Sequence, residues 1–160
     1  MILIALDPGV ITGYITADTT DGELLKTHYH AGIIEYGQVH KEAIWEVLRE
    51  IDQKAYEFSD HLTIIHESFE YRRHKTHANL EPVKVIGIIE EFARQHNATI
   101  YTQTASQGKI SSGSAYFNEV RLKKLGLWFT GHVHARDAAG HYLYWKYFGA
   151  GKRPGVRPPC

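Results

Sequence analysis

The first predicted strand of this chain ends in a carboxylate, and no other feature constrains the fold as much. Five apolar residues, 2–6, lead directly into Asp7, and Pro8 and Gly9 follow at once. This run predicts a buried strand that ends in a tight turn, with a second strand beginning at Gly13. An ionised carboxylate is expensive to bury unless it is paired or binds a cation. Alternatively, an aspartate before Pro-Gly is an ordinary turn residue whose side chain accepts hydrogen bonds from backbone amides.

The order of strand and helix patterns predicts one α/β domain over residues 1–148. We expect strands at 2–7, 13–18, 24–36, 62–66 and 98–102, and helices at 38–57, 81–96, 115–125 and 132–148. Three antiparallel strands followed by strand–helix–strand crossovers indicate a mixed five-stranded sheet with helices on both faces. The Gly-, Pro-, Lys- and Arg-rich residues 149–160 are expected to form a disordered basic tail.

A second predicted strand also ends in a carboxylate, because residues 62–66 run into Glu67. Ligands of open α/β sheets bind outside the carboxyl ends of the strands. If the first and fourth strands are neighbours, Asp7 and Glu67 lie side by side at that edge of the sheet. The topology therefore predicts a polar site there.

The last predicted helix carries polar groups on one face. His134, Asp137 and His141 share that face with Ala138, because residues three and four positions apart lie along the same side of a helix. The small Ala138 lets the helix approach the sheet closely, so the polar groups would point at the strand ends. Alternatively, His134 and Asp137 form an ordinary ion pair on the helix surface.

Together with Asp7 and Glu67, these residues would form an oxygen-rich cluster with imidazole at its edge. Hard divalent cations such as Mg²⁺ and Mn²⁺ prefer carboxylate and water ligands. Two such ions about 3.5–4 Å apart can stabilise the attacking and leaving oxygens of an in-line phosphoryl displacement. The cluster therefore predicts phosphoryl-transfer chemistry that depends on Mg²⁺ or Mn²⁺.

Three motifs occur in an order that is typical of a known family. They are Ala5-Leu-Asp7-Pro-Gly-Val-Ile-Thr-Gly13-Tyr, then Glu67 with Phe69 two residues later, then His134-Ala-Arg-Asp137-Ala138. In this combination the chain resembles the RuvC-type Holliday-junction resolvases of the ribonuclease-H-like superfamily. The residues of the third motif and the length of the chain are most similar to the bacteriophage-encoded branch of that family. The chain departs from the family in a shorter turn after Asp7 and in residues 106–109, which match the basic stretch only loosely.

The resemblance implies a homodimeric, metal-dependent endonuclease that cleaves branched DNA such as Holliday junctions by two-metal phosphodiester hydrolysis. Carried over by position, Asp7, Glu67, His134 and Asp137 would be both the catalytic and the metal-binding residues, holding two Mg²⁺ or Mn²⁺ ions. An RNA-processing nuclease of the same fold and a non-catalytic module that binds branched DNA remain alternatives. An actin-like kinase needs a second such domain, for which this chain is too short.

Charge is distributed unevenly along the chain although the net charge is zero. Residues 1–70 contain 13 Asp or Glu against 4 Lys or Arg, whereas residues 71–160 contain 5 against 14. A basic half can present a positive surface to nucleic acid, although the two halves could instead attract each other. Cations would contact phosphates and aromatic rings would stack on unpaired bases. The candidate DNA-binding residues are Phe69, Tyr71, Arg72, Arg73, Lys75, Lys109, Arg121, Lys123 and Lys124.

The composition excludes some other classes of protein. No run of 18 or more apolar residues occurs, so we expect no membrane span and no membrane partner. The single cysteine, Cys160, excludes an internal disulfide and a multi-cysteine zinc site, and it fits a reducing compartment. We expect no secretory signal and a cytoplasmic protein, in the bacterial host's cytoplasm if the chain is phage-encoded.

Overall fold

The computed structural model describes residues 1–19, 33–57, 61–69, 79–108 and 117–149. The strands are β1 (Ile2–Asp7), β2 (Ile11–Asp18), β3 (Ile33–His40), β4 (Thr63–Glu67) and β5 (Thr99–Gln103). The helices are α1 (Ile44–Glu57), α2 (Glu81–His96), α3 (Ala105–Gly108), α4 (Glu119–Lys124) and α5 (Val133–Phe148), with a 3₁₀ turn at Lys41–Ala43. None of the helices in this part of the chain is long and apolar enough to cross a membrane.

The described strands form one five-stranded sheet in the order β3-β2-β1-β4-β5. β1 pairs antiparallel with β2, and β2 with β3, whereas β1–β4 and β4–β5 are parallel pairs. In the parallel pairs Leu6 lies beside His66, and Glu67 beside Gln103. Asp7, Glu67 and Gln103 therefore end three neighbouring strands at the same edge of the sheet.

The two faces of the sheet bury different residues because side chains alternate along a strand. Leu3 and Ala5 of β1 pack in a core that includes α5, whereas Ile4 and Leu6 pack in a second core with α1 and α2. Asp7 continues the first series, so its side chain is on the α5 face. The predicted fold, a mixed sheet with helices on both faces, is confirmed.

The predicted helix over 38–57 is wrong at its beginning. Residues 38–40 complete β3, a 3₁₀ turn follows, and α1 begins at Ile44. Ile44 is the first apolar position of the helical pattern and is fully buried. Val39 and His40 pair with Thr12 and Ile11 of β2, so this stretch is held in the sheet.

Other boundaries move by smaller amounts. The helix predicted over 115–125 is shorter, because the Asn118 side chain caps α4 by accepting a hydrogen bond from the Arg121 N–H at 3.1 Å. The strand predicted at 98–102 lies one position later, and residues 105–108, expected in a loop, form α3. Residues 24–32 of the predicted third strand and 150–160 of the predicted tail lie outside the described residues.

Tyr14 makes a polar contact on the α1 face that predicts a response to alkaline pH. Its hydroxyl donates to Glu35 Oε1 at 3.0 Å, and burial, with that hydrogen bond, raises the pKa of Tyr14 from 10.0 to about 12. Between these two pH values the unfolded chain ionises first, so the free energy of unfolding should fall as the pH rises. We expect Tyr14→Phe to reduce that fall, measured by urea unfolding at pH 9 and pH 11. An equal fall in both proteins would contradict this assignment.

Candidate functional site

Asp7 is held by the first turn of α5. Asp7 is 1% exposed, and the His134 Nδ1–H donates a hydrogen bond to Asp7 Oδ2 at 2.7 Å. The backbone N–H of His134 donates to Gln38 Oε1 at 2.8 Å, whereas the N-cap residue His132 makes no side-chain cap. Gln38 of β3 therefore caps the helix that carries His134, and this cap fixes the helix end over the sheet.

Gly13 lets α5 come this close. It pairs with Asp7 between β1 and β2. A Cβ atom at position 13 would lie 2.0 Å from the carbonyl carbon of His134 and 2.4 Å from the Ala135 nitrogen. Since both atoms belong to the helix backbone, a side chain here would force the helix away from the sheet.

Glu67 has a different imidazole partner. His141 lies fully buried on α5, and its Nε2 is 3.3 Å from Glu67 Oε2. The other ring nitrogen, Nδ1, is 2.9 Å from Oε1 of the buried Gln103. The ends of β4 and β5 are thus joined to α5 through one imidazole ring.

Asp137 lies one helical turn after His134 and is 2% exposed. It belongs to the same helix face as His134 and His141, as the spacing predicts. Asp7 and Asp137 are thus two nearly fully buried acidic residues, on a strand and a helix that pack against each other.

The four predicted metal-binding residues lie at the ends of β1 and β4 and in the first turns of α5, and two of the carboxylates have a histidine partner. Asp7 contacts His134, and Glu67 contacts His141. Among the described residues, no group of three or more His, Cys, Asp or Glu side chains has the arrangement of a metal site. The metal-binding role of Asp7, Glu67, His134 and Asp137 therefore stays a prediction.

His66 precedes Glu67 but belongs to the opposite face of the sheet. Burial lowers the pKa of His66, which favours the neutral ring. Its Nδ1–H donates to the Glu67 carbonyl oxygen at 3.0 Å. This histidine is therefore a satisfied core residue and stands apart from the site.

The predicted DNA-binding residues are described only in part. Phe69 is half-buried just beyond Glu67. Arg121, Lys123 and Lys124 lie on α4, where the Lys123 ammonium donates to Glu119 at 2.6 Å. The remaining candidates lie outside the described residues: Tyr71, Arg72, Arg73, Lys75 and Lys109.

No motif marks Gln38, Gln103 or Gly108 as part of the site, and Gly13 occurs only within the motif that contains Asp7. A polar residue at the end of a third parallel strand could have identified Gln103, because Glu67 ends the strand beside it and Asp7 ends the next strand of the sheet. The role of the two glycines depends on how closely helices approach them, for which the sequence carries no signal.

Neither a protein-family model nor a curated protein sequence matches this chain. Solved structures do. A Thermus thermophilus RuvC structure matches with a TM-score of 0.58 and 14% identity, over 93% of this chain and 97% of that one. T. thermophilus RuvC in complex with a Holliday junction substrate matches with a TM-score of 0.59, at the same identity and coverage. The chain therefore has the fold of RuvC, a ribonuclease-H-like α/β fold.

Proposed function

We propose that this protein is a divalent-cation-dependent endonuclease that cleaves branched DNA, including four-way junctions. The observation that carries the proposal is the convergence of acidic side chains at one sheet edge. Asp7 and Glu67 end neighbouring parallel strands, and α5 adds His134 and Asp137 from the same side. The shared fold with a RuvC solved in complex with a Holliday junction substrate supports the choice of substrate.

The residues at this edge fit a hard divalent cation. Neighbouring strands lie about 4.7–4.9 Å apart, so Asp7 and Glu67 extend from backbones close enough to share an ion. Asp7 and Asp137 are 1% and 2% exposed, on a strand and a helix that pack against each other. Carboxylate oxygens are the ligands that Mg²⁺ and Mn²⁺ prefer. We propose that Asp7, Glu67, Asp137 and His134 bind these cations.

A cluster of carboxylates alone repels a phosphodiester, so cations are required to reverse the local charge. When bound, two such ions supply an activated water and stabilisation of the leaving 3′-oxygen. Asp7 and Glu67, fixed by the sheet, orient the site with little rearrangement. The His134 Nδ1–H donates to Asp7 and the side chain is 43% exposed, so we propose that its other ring nitrogen either binds a cation or carries a proton to or from the reacting groups.

DNA binding is proposed for two groups of described residues, one just beyond β4 and one on α4. Phe69, half-buried two residues after Glu67, is a candidate to stack on a base that is unpaired at a branch point. Arg121, Lys123 and Lys124 on α4 are candidate phosphate contacts. The same role for Tyr71, Arg72, Arg73, Lys75 and Lys109 rests on the sequence alone.

We also propose that the protein acts as a homodimer, since a four-way junction offers two equivalent strands for cleavage. Exposed apolar side chains at the start of α2 support this: Leu80 is 55% exposed and Val83 is 42% exposed. The proposed place of action is the cytoplasm, that of a bacterial host if the gene is phage-borne. The similarity to the phage-encoded branch rests only on the residues of the third motif and on the length of the chain.

The proposal is tested by incubating the protein with a synthetic four-way junction and Mg²⁺ or Mn²⁺. We expect paired symmetric nicks in the junction, little cutting of a linear duplex of the same sequence, and no product in EDTA. Equal cutting of junction and duplex would contradict structure selectivity. Cutting confined to RNA or RNA–DNA hybrids would indicate an RNA-processing nuclease instead, and tight junction binding without nicks would indicate a non-catalytic module.

A further inference from the structure

His141 is a buried histidine for which the proposed chemistry has no direct role. It lies one helical turn beyond Asp137 and is 0% exposed. Each nitrogen of its ring faces a side-chain oxygen, Nε2 towards Glu67 Oε2 at 3.3 Å and Nδ1 towards Gln103 Oε1 at 2.9 Å. Buried polar rings in proteins are hydrogen-bonded, and this ring finds its partners at the end of two parallel strands.

The hydrogen-bonding rules fix the direction of the contact with Glu67. An ionised carboxylate can only accept hydrogen bonds, so the His141 Nε2–H is the donor. Nδ1 can then donate to the Gln103 oxygen if the ring carries both protons. If the ring carries one proton, Nδ1 accepts from the Gln103 NH₂ after a turn of the amide plane. In both cases His141 donates to Glu67 and Gln103 holds the ring in place.

The surrounding backbone leaves the ring little freedom. A Cβ at Gly108 would lie 2.4 Å from Nδ1 and 2.5 Å from Cγ of His141, so α3 packs directly on the ring. The segment between Gln103 and Gly108 is tied down as well. The Thr104 N–H donates to Gln107 Oε1 at 2.7 Å, and the Gln107 Nε2–H donates to the Tyr144 hydroxyl at 3.4 Å.

We propose that His141 and Gln103 are positioning residues that hold Glu67 in the orientation in which it binds a cation. This inference rests on the proposed function, because it concerns the same site. Glu67 is partly exposed at the end of β4, and without a partner its side chain would have to be ordered when the ion binds. Groups that hydrogen-bond a metal ligand from behind typically change metal affinity by about 10–100-fold when they are lost.

The test is a titration of the full-length protein with Mn²⁺ in the absence of DNA. The electron paramagnetic resonance signal of free Mn²⁺ measures how much of the ion is bound. We expect His141→Leu to weaken Mn²⁺ binding by about 10–100-fold and Gln103→Leu by about 10-fold. His141→Gln should recover part of the loss, because its amide N–H can still donate to Glu67. A purely structural role for the ring would not produce this recovery.

The matched control is His96→Leu. His96 is also a helix histidine bonded to a carboxylate, Asp52, at 2.7 Å, but it belongs to the opposite face of the sheet. We expect it to leave Mn²⁺ affinity unchanged. Thermal unfolding in EDTA identifies variants that are folded, and if His141→Leu does not fold, Gln103→Leu decides.

Two outcomes overturn the positioning role while leaving the proposed site intact. Both outcomes require that Glu67→Gln weakens Mn²⁺ binding. The first is that folded His141→Leu, or folded Gln103→Leu if His141→Leu does not fold, binds Mn²⁺ as tightly as the wild type or more tightly. The second is that His141→Gln recovers none of the affinity lost in His141→Leu. If the wild-type protein does not bind Mn²⁺, or if Glu67→Gln binds it as the wild type does, the proposed site and the positioning role both fail.

Discussion

Asp7→Asn should abolish cleavage of a four-way junction while leaving junction binding close to that of the wild type. The substitution removes one negative charge and one of the two carboxylate oxygens that we assign to cation binding. Loss of a preorganised electrostatic group at a reacting centre typically lowers the rate by about 10²–10³-fold. Because Asp7 is assigned to the cations themselves, we expect a loss of at least about 10³-fold in single-turnover cleavage.

The local structure should survive this substitution. Asparagine has nearly the same size as aspartate, and its side-chain oxygen can still accept the hydrogen bond that the His134 Nδ1–H donates to Asp7 at 2.7 Å. A gel-shift titration in Ca²⁺ or EDTA measures junction binding, and thermal unfolding measures stability. We expect both to remain near their wild-type values, so that the loss can be assigned to chemistry.

Asp52→Asn is the matched control for this experiment. The Asp52 carboxylate accepts a hydrogen bond from the His96 Nδ1–H at the same 2.7 Å, but this pair joins α1 and α2, on the other face of the sheet. We expect this variant to cleave at the wild-type rate. Turnover by well-folded Asp7→Asn at more than a few per cent of the wild-type rate would show that Asp7 is not essential, and the assignment of the site would fail.

The sequence was sufficient for the parts of the site that follow from topology. Buried strands that end in Asp7 and Glu67, with a helix between them, must place both carboxylates at the same sheet edge if the strands are parallel neighbours. The spacing of His134, Asp137 and His141 was enough to assign them to one helix face. Both predictions follow from the spacing of residues along a helix and from the order of strands and helices, which can be read from a single sequence.

The contacts behind these side chains could not be predicted in the same way. The predicted fifth strand ended at residue 102, and the structure extends it by one residue to Gln103. A difference of one residue decides whether a side chain is on the sheet face or in a loop. The contact between Gln38 and the His134 amide joins residues 96 positions apart. It depends on β3 continuing through residues 38–40, for which the sequence pattern predicts a helix.

Gly13→Ala should have the largest effect on stability. The new methyl group would lie 2.0 Å from the His134 carbonyl carbon and 2.1 Å from its oxygen. Neither atom can turn aside, since both belong to the backbone of α5. Overpacking of a core typically costs about 1–3 kcal/mol, and we expect this clash to lower the free energy of unfolding by about 3 kcal/mol or more. Urea unfolding measures the change.

Gly87→Ala is the control for the loss of a glycine. Gly87 lies within α2, and a Cβ there meets nothing within 4 Å. Alanine is the better helix former, so we expect this variant to gain about 0.5–1 kcal/mol. The opposite signs of the two glycine substitutions would separate the close approach of α5 from the general effect of replacing glycine.

Gly13→Ala should also weaken cation binding, because α5 carries both His134 and Asp137. Any shift of the helix that accommodates the methyl group moves these residues away from Asp7, which remains fixed in β1. Folded Gly13→Ala protein should therefore bind Mn²⁺ more weakly than folded Gly87→Ala protein. If Gly13→Ala keeps wild-type stability and wild-type Mn²⁺ binding, α5 does not rest on Gly13, and the helix cannot be what brings His134 and Asp137 to the strand ends.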